Sequence, residues 1–304
     1  MILSAGDFAV YRTESNAFNL LVPQFGNLSS RKQREKLMQV WLGSKLFERS
    51  GLKQEAIREK ILEDCRSGGD FLRIVMGEIA KNQGVRRWAD CTPEHLLYIP
   101  QIKQEIPDAQ IIHIIRDGRD VALSLAKQNW IHPFPWQKGQ EVFVAGLYWE
   151  WIVSKGRIFG RSIGSDYFEV RFEDLVKNPR DTLSALGRFI DHDLDYDRIQ
   201  HVAIGSVREP NSSFGSQSSS GPFVPVGRWK RGFSPENLAS FEGLVGQTLQ
   251  TLGYTLATPA GQIPSSLKLR RMRAMYRFYF DSKLWLKSET PLGRLLMRSD
   301  LSWL

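Results

Sequence analysis

The chain has 304 residues, 42% apolar and 24% charged, with 41 Lys and Arg against 33 Asp and Glu, a net charge of +8 and a pI near 9.5. This is the composition of a globular protein with ample core, not of a disordered, collagenous or disulfide-stapled chain, and the basic excess favours an anionic partner: a nucleotide, an acidic glycan, anionic lipid or nucleic acid. Cys65 and Cys91 lie far from any His/Cys ligand spacing, which predicts reduced thiols and no zinc site, and no run of apolar residues is long enough to span a membrane.

In chain order, Asp7–Arg12 reads as a short strand, Arg31–Glu48 as one strongly charged helix, and Gln54–Asp64 and Phe71–Asn82 as further helices. Val85–Asp90 reads as a strand, followed by a helix opening at Pro93, whose fixed φ suits a first turn. The β-branched run Gln110–Ile115 has the character of a buried parallel strand, and from Gly118 onward Val121, Ala122 and Leu125 recur at helical spacing. Val142–Arg157 is a long aromatic helix carrying Trp149 and Trp151, Asp166–Arg171 a strand, and Asp181–Ile190 and Pro235–Leu252 amphipathic helices. Alternation of strands and helices predicts an α/β fold in three layers, a parallel sheet flanked by helices. One domain is expected over 1–260. A basic aromatic helical extension follows over 261–304, with Lys268–Phe280 running on through Leu284-Trp285-Leu286.

Function concentrates at Ile111-Ile112-His113-Ile114-Ile115-Arg116-Asp117-Gly118-Arg119-Asp120-Val121-Ala122-Leu123-Ser124. An aliphatic strand runs there into a basic turn and then a helix. Open α/β sheets bind ligands at the carboxyl ends of their strands, and a helix start offers free N–H groups and a positive dipole end to an anion. Arg116 adds a bidentate fork and Ser124 a hydroxyl. Arg119 and Asp120 read as a solvated helix face. His113 faces the core of the strand and is structural.

This segment resembles the one with which sulfotransferases grip the 3′-phosphate of 3′-phosphoadenosine 5′-phosphosulfate (PAPS), and the likeness implies that Arg116 and Ser124 are phosphate ligands. Asp166–Asn178 resembles the family's later strand and turn, with Phe172 where relatives often carry Tyr. Val226-Gly227-Arg228-Trp229-Lys230, Ser234–Leu238 and Leu252-Gly253-Tyr254 resemble its closing loop, helix and end, and Trp88–Leu96 its strand-to-helix junction. The matches run in family order from roughly residue 5 to residue 255. The resemblance implies a P-loop-nucleotide-hydrolase-like sulfotransferase fold. It also implies metal-free transfer of a sulfuryl group from PAPS to a hydroxyl or amine acceptor, with Gly227, Arg228, Trp229 and Lys230 completing the nucleotide site. The family's first strand and Pro-x-Arg-Ser-Gly-Thr-Thr loop have no counterpart, and Met1–Asp7 reads like the last turn of the helix that follows that loop. The expectation is a chain that starts just downstream of it, its activity left open. Gly160–Ser165 looks superficially like such a loop but follows a helix and precedes a strand, the reverse of the required order.

Glu14, at a strand's carboxyl end, is the candidate catalytic base, and a surface carboxylate or a cap beside Ser15 is the plain reading. Asp90 and His95 are its rivals. Asn211–Gly221 is a polar loop, a linker by composition and a lid by its place before Gly227. Trp229 either stacks on a ring or anchors the loop, the second being expected. The 268–280 helix either packs back on the domain or meets an anionic membrane surface, and no nucleic-acid motif is present. Location is expected to be cytoplasmic, with peripheral membrane contact as the second option. Two alternatives remain: a nucleotide-binding relative without catalysis, and a nucleotide-dependent kinase, which the missing Gly-x-x-x-x-Gly-Lys-Ser/Thr loop disfavours.

Overall fold

Gln83 decides how the N-terminal segment pairs. Its side-chain amide accepts from Val10 N–H (2.7 Å) and donates to Val10 C=O (3.0 Å), so the backbone at Val10 has no groups left for a neighbouring strand. The strands expected over Asp7–Arg12 and Val85–Asp90 are therefore reduced to one parallel bridge, Phe8 to Arg87, with Asp7 beside it at a φ of 57°. The computed structural model in which this is seen describes residues 1–204, 207 and 225–293. The Asn211–Gly221 loop lies outside them.

The first third of the chain is helical: α1 (Arg31–Leu42), α2 (Lys45–Ser50), α3 (Gln54–Asp64) and α4 (Gly68–Asn82). They close over a core that includes Leu37, Trp41, Ile57, Ile61, Phe71 and Met76. The single helix expected over Arg31–Glu48 is two. Gly43 ends the first, and the Ser44 hydroxyl caps the second by accepting Phe47 N–H at 3.4 Å, the usual effect of a poor helix former followed by a good N-cap. Pro93 opens a 3₁₀ turn (Pro93–Tyr98) that leads into α5 (Ile99–Glu105).

Then come β1 (Ile111–Ile115), α6 (Gly118–Gln128), α7 (Glu141–Ser162) and β2 (Tyr167–Arg171). β1 and β2 run parallel, in register from Ile111 opposite Tyr167 to Ile115 opposite Arg171, and α7 is the crossover between them. Among the described residues the sheet has these two strands, so the α/β class holds with a small sheet and a large helical share. Gly160–Ser165 closes α7 and turns into β2, with Gly164 at a φ of 60°. Helices α8 (Phe172–Lys177), α9 (Pro179–Ile190), α10 (Tyr196–Val202), α11 (Trp229–Gly232), α12 (Pro235–Thr251) and α13 (Leu267–Glu289) complete the described chain. Met272, Tyr276 and Phe280 of α13 join Trp149, Trp151, Phe241 and Leu244 in a second core, so the C-terminal helix packs along α7.

His113 is buried beneath α7, where Gly156 leaves room for its ring. The Tyr167 hydroxyl donates to Glu169 (3.0 Å) and so accepts from His113 Nδ1–H (2.6 Å). Burial pushes the imidazole down to about 4; Glu169 opposes this and Arg157 adds to it. Because the unfolded imidazole binds its proton near the ordinary value of about 6.5, the unfolded state takes up more protons below that pH. Stability is thus full above about 6.5 and lost as pH falls towards about 4, up to about 3 kcal/mol from this side chain. Urea denaturation of wild type and His113→Asn between pH 7.5 and 5 is expected to show a steeper acid loss in the wild type. Parallel curves would contradict it.

Candidate functional site

The β1–α6 turn is built around a buried guanidinium. Arg119 and Asp120, which read as a solvated face in the sequence, are 2% and 1% exposed. Arg119 Nε and Nη2 donate to the two oxygens of Asp117 (3.0 and 2.8 Å), and Nη1 donates to Glu242 Oε1 (2.7 Å) and to Thr255 C=O (3.0 Å). A cation at the first turn of a helix is poorly placed with respect to the dipole, and these two carboxylates correct the local charge. Burial alone would raise the Glu242 carboxyl, but the Ala257 and Thr258 N–H groups and Arg119 hold it below its usual range. Gly118 is required by contact, since a Cβ there would come within 2.5 Å of the Trp149 ring, whose Nε1–H donates to Arg116 C=O (3.1 Å).

Asp120 faces the other way and receives the C-terminal loop. Its carboxylate accepts the N–H of Gly227 and of Trp229, each at 2.8 Å, and Gly227 has a φ of 76°, the left-handed region that glycine enters without strain. The Trp229 ring is buried 3.8 Å from the Arg119 guanidinium carbon. It anchors the loop by a cation–π contact with the same arginine that fixes the turn.

Arg228 lies between these two anchored residues, Gly227 and Trp229. The Arg228 guanidinium is pushed below its usual value by burial and then by the positive charge of Arg116, with Asp120 opposing. Arg116 donates from Nη2 to Pro225 C=O (2.6 Å), lies 4.8 Å over the Phe172 ring and 3.8 Å from Asp120. Its Nε is buried and finds no acceptor among the described residues. Ser124 is half-buried one helical turn beyond Asp120, on the same face of α6. Lys230 is exposed, its ammonium 5.8 Å from the Trp229 ring.

The free amides expected at the start of α6 are partly taken. Asp117 N–H donates to Glu173 Oε1 (2.9 Å) and Arg119 N–H to Asp117 Oδ1 (3.0 Å). Glu173 also accepts from the Tyr254 hydroxyl (2.8 Å), and Arg171 stacks on the Tyr254 ring at 4.5 Å with its own Nε lacking an acceptor among the described residues. Cationic character here therefore belongs largely to side chains, Arg116 at the carboxyl end of β1 and Arg228 in the loop that Asp120 receives. An anion at Arg116 would satisfy its Nε.

Glu14 belongs to a neighbouring acidic cluster. Asp90 Oδ2 lies 2.8 Å from His95 Nδ1, and Asp90 Oδ1 accepts from Ser15 N–H and the Thr92 hydroxyl, both at 3.2 Å. His95 Nε2 accepts Phe18 N–H (3.2 Å), which puts the imidazole proton on Nδ1 and leaves neither nitrogen for catalysis. Burial acts to raise Asp90, yet hydrogen bonds from His95, Ser15 and Thr92 keep it below the usual carboxylate range. Glu14 differs. It is exposed at the rim, its carboxylate accepts no hydrogen bond among the described residues, and it is raised by desolvation and then by Glu94 and Asp90, with His95 opposing. Consecutive residues of α7 tie the clusters together: the Tyr148 hydroxyl donates to Glu94 (3.2 Å), and Trp149 donates to Arg116 C=O. Among the described residues no group of three or more His, Cys, Asp or Glu could hold a metal ion.

Glu242 and Glu173 could not be found from local sequence. Each meets the turn only through tertiary folding, across 123 and 56 positions.

A profile of the Sulfotransferase family matches residues 13–196, more than half of the chain. The fold is similar to that of a sulfotransferase domain from the olefin synthase of Synechococcus PCC 7002, at 19% identity and a TM-score of 0.52, over 84% of this chain and 89% of that one. A sulfotransferase domain from the curacin biosynthetic pathway is also similar, at 14% identity and a TM-score of 0.46, over 84% of this chain and 92% of that one.

Removing the buried cation leaves Asp117 and Glu242 uncompensated. Arg119→Leu is expected to destabilise the fold by about 3–5 kcal/mol in denaturant titrations. A loss under about 1 kcal/mol, of the size typical for an exposed ion pair, would contradict the network's role.

Proposed function

Since the chain belongs to the sulfotransferase family, we propose that it transfers a sulfuryl group from PAPS to a hydroxyl or amine acceptor. The observation that carries this reading is the meeting of Arg116, at the carboxyl end of β1, with the Pro225–Trp229 loop, which Arg116 touches at Pro225 C=O, Asp120 receives and Trp229 anchors. Arg116 and Ser124 bind the 3′-phosphate of the nucleotide; Gly227, Arg228, Trp229 and Lys230 form the loop that covers it.

PAPS supplies an activated sulfuryl group on a phosphate leaving group. What remains for the protein is to position the partners, stabilise charge on the departing phosphate and accept one proton. Arg116 is fixed by Pro225 C=O, the Phe172 ring and Asp120 before the nucleotide arrives, so little reorganisation of this side chain accompanies binding. Glu14 takes the acceptor's proton as the acceptor oxygen or nitrogen bonds to sulfur and the bond from sulfur to the phosphate oxygen breaks. A carboxylate raised by its neighbours is a stronger base than an ordinary one, while the saturated, lowered Asp90 is a weaker one.

The test is formation of adenosine 3′,5′-bisphosphate from PAPS in the presence of pooled hydroxyl and amine acceptors. Glu14→Gln is expected to lower kcat about 10²–10⁴-fold with nucleotide affinity retained. In the wild type, kcat/KM should rise with pH through a value above the ordinary glutamate pKa of about 4.3, because Glu14 must be ionised, and this limb should vanish in Glu14→Gln. Full activity of Glu14→Gln would assign the base elsewhere. Nucleotide binding with no turnover for any acceptor would favour the non-catalytic relative.

A further inference from the structure

The outer face of α13 is as unusual as its inner face is ordinary. Met272, Tyr276 and Phe280 point into the core, whereas Leu267, Arg271, Phe278 and Trp285 recur at i, i+4, i+11 and i+18 along the opposite side. Phe278 is 73% and Trp285 61% exposed, far more than aromatic side chains on a monomer's surface usually are. A second aromatic cluster lies on another side of the helix. Trp136, 73% exposed, stacks on Phe134 at 4.9 Å, and Phe134 in turn meets Tyr279 edge-on at 5.0 Å and Tyr276 at 4.9 Å. The Tyr276 hydroxyl donates to Gln137 (2.6 Å) and accepts Phe134 N–H (2.9 Å), so the 134–137 segment is clamped to the helix and Trp136 is presented outward from a fixed base.

The charge around these rings has one sign. Lys268, Arg270, Arg271, Arg277 and Lys283 are all exposed on α13. Arg273 is instead turned to Glu150, and Asp281, the only acid of the helix before its last residue, is engaged by Trp151 Nε1–H and Lys155, both at 2.9 Å. The helix is long enough to cross a membrane but too charged to do so.

We propose that the outer face of α13 is a docking face for an anionic lipid bilayer, with the helix lying in the interface plane. Trp and Tyr rings favour the level of the lipid headgroups, Phe278 and Leu267 enter the acyl boundary, and the flanking Lys and Arg meet anionic phosphates. Charge complementarity selects this occupant. A second copy of the chain would oppose one basic face to another, and a nucleic acid would leave Phe278 and Leu267 without an apolar partner.

The inference stands apart from the catalytic reading and is tested by flotation of the whole chain. One set of vesicles is phosphatidylcholine alone; the other contains about one-third phosphatidylglycerol, enough to give the surface a negative potential. Flotation with the anionic vesicles alone is expected, weakening as salt shortens the Debye length, with a blue shift of tryptophan emission. The Arg271→Glu, Arg277→Glu, Lys283→Glu triple variant should bind on the order of a hundredfold more weakly, and the Phe278→Ser, Trp285→Ser pair roughly tenfold. Circular dichroism should be unchanged in both. Absence of flotation at low salt, equal binding to both vesicle types, undiminished binding by either variant, or concentration-dependent dimers that bury the face would each overturn the proposal.

Discussion

Everything at the candidate site hangs on one buried cation. The Arg119 guanidinium is shared between Asp117, at the start of its own helix, and Glu242, on a helix more than a hundred positions away, with the Trp229 ring against it. Burying three charges is costly unless each is paired and hydrogen-bonded, and here Glu242 is further satisfied by two backbone amides and Arg119 by a carbonyl. The consequence is geometric. With Arg119 fixed, the β1–α6 turn, the 255–258 segment and the Trp229 loop have one mutual arrangement, and in it the loop meets Arg116 at Pro225 C=O.

The acids that build the turn also tune it. Asp117 and Glu173 consume amides that a helix start would otherwise turn towards an anion, and Asp120 consumes those of Gly227 and Trp229. Recognition passes from backbone to side chains, from a diffuse partial charge to two planar forks. Guanidinium forks discriminate phosphate geometry more sharply than a dipole end does, and they remain charged at any working pH. Phe172 keeps a ring under Arg116 and offers no hydroxyl to compete for it. Glu14, by contrast, is raised by desolvation and then by Glu94 and Asp90, so a basic cluster and an acidic one stand side by side, joined through adjacent residues of α7.

Strong periodicity was legible in the sequence. Gln54–Asp64 is a helix at those bounds, β1 begins one residue after Gln110, α6 opens at Gly118, and Gly160–Ser165 is a helix end as its order implied, whereas α7 runs on past Arg157 to Ser162 and α8 and α10 had no counterpart among the expected elements. What escaped was decided by single side chains acting over distance. Gln83 satisfies Val10 and so prevents a strand that propensity favours, and Gly43 with Ser44 divides a helix whose charge pattern is continuous. The Arg119-Asp120 pair looked solvated because charged residues usually are, and only Glu242 and the Gly227–Trp229 amides reverse that rule. Arg116, Ser124, Gly227, Arg228, Trp229 and Lys230 could be nominated from resemblance, whereas the carboxylates that hold them could not. Of the two readings of the 268–280 helix, the packing back on the domain with a basic outer face is what the structure has.

The central claim is that Arg116 reads a 3′-phosphate, and a calorimetric cycle isolates that contact. Adenosine 3′,5′-bisphosphate and adenosine 5′-monophosphate differ only by the 3′-phosphate, and each is titrated into wild type and Arg116→Ala. The account predicts that the 3′-phosphate strengthens binding about tenfold to a hundredfold in the wild type and by almost nothing in the variant. An equal gain in both proteins, or none in the wild type, would contradict it.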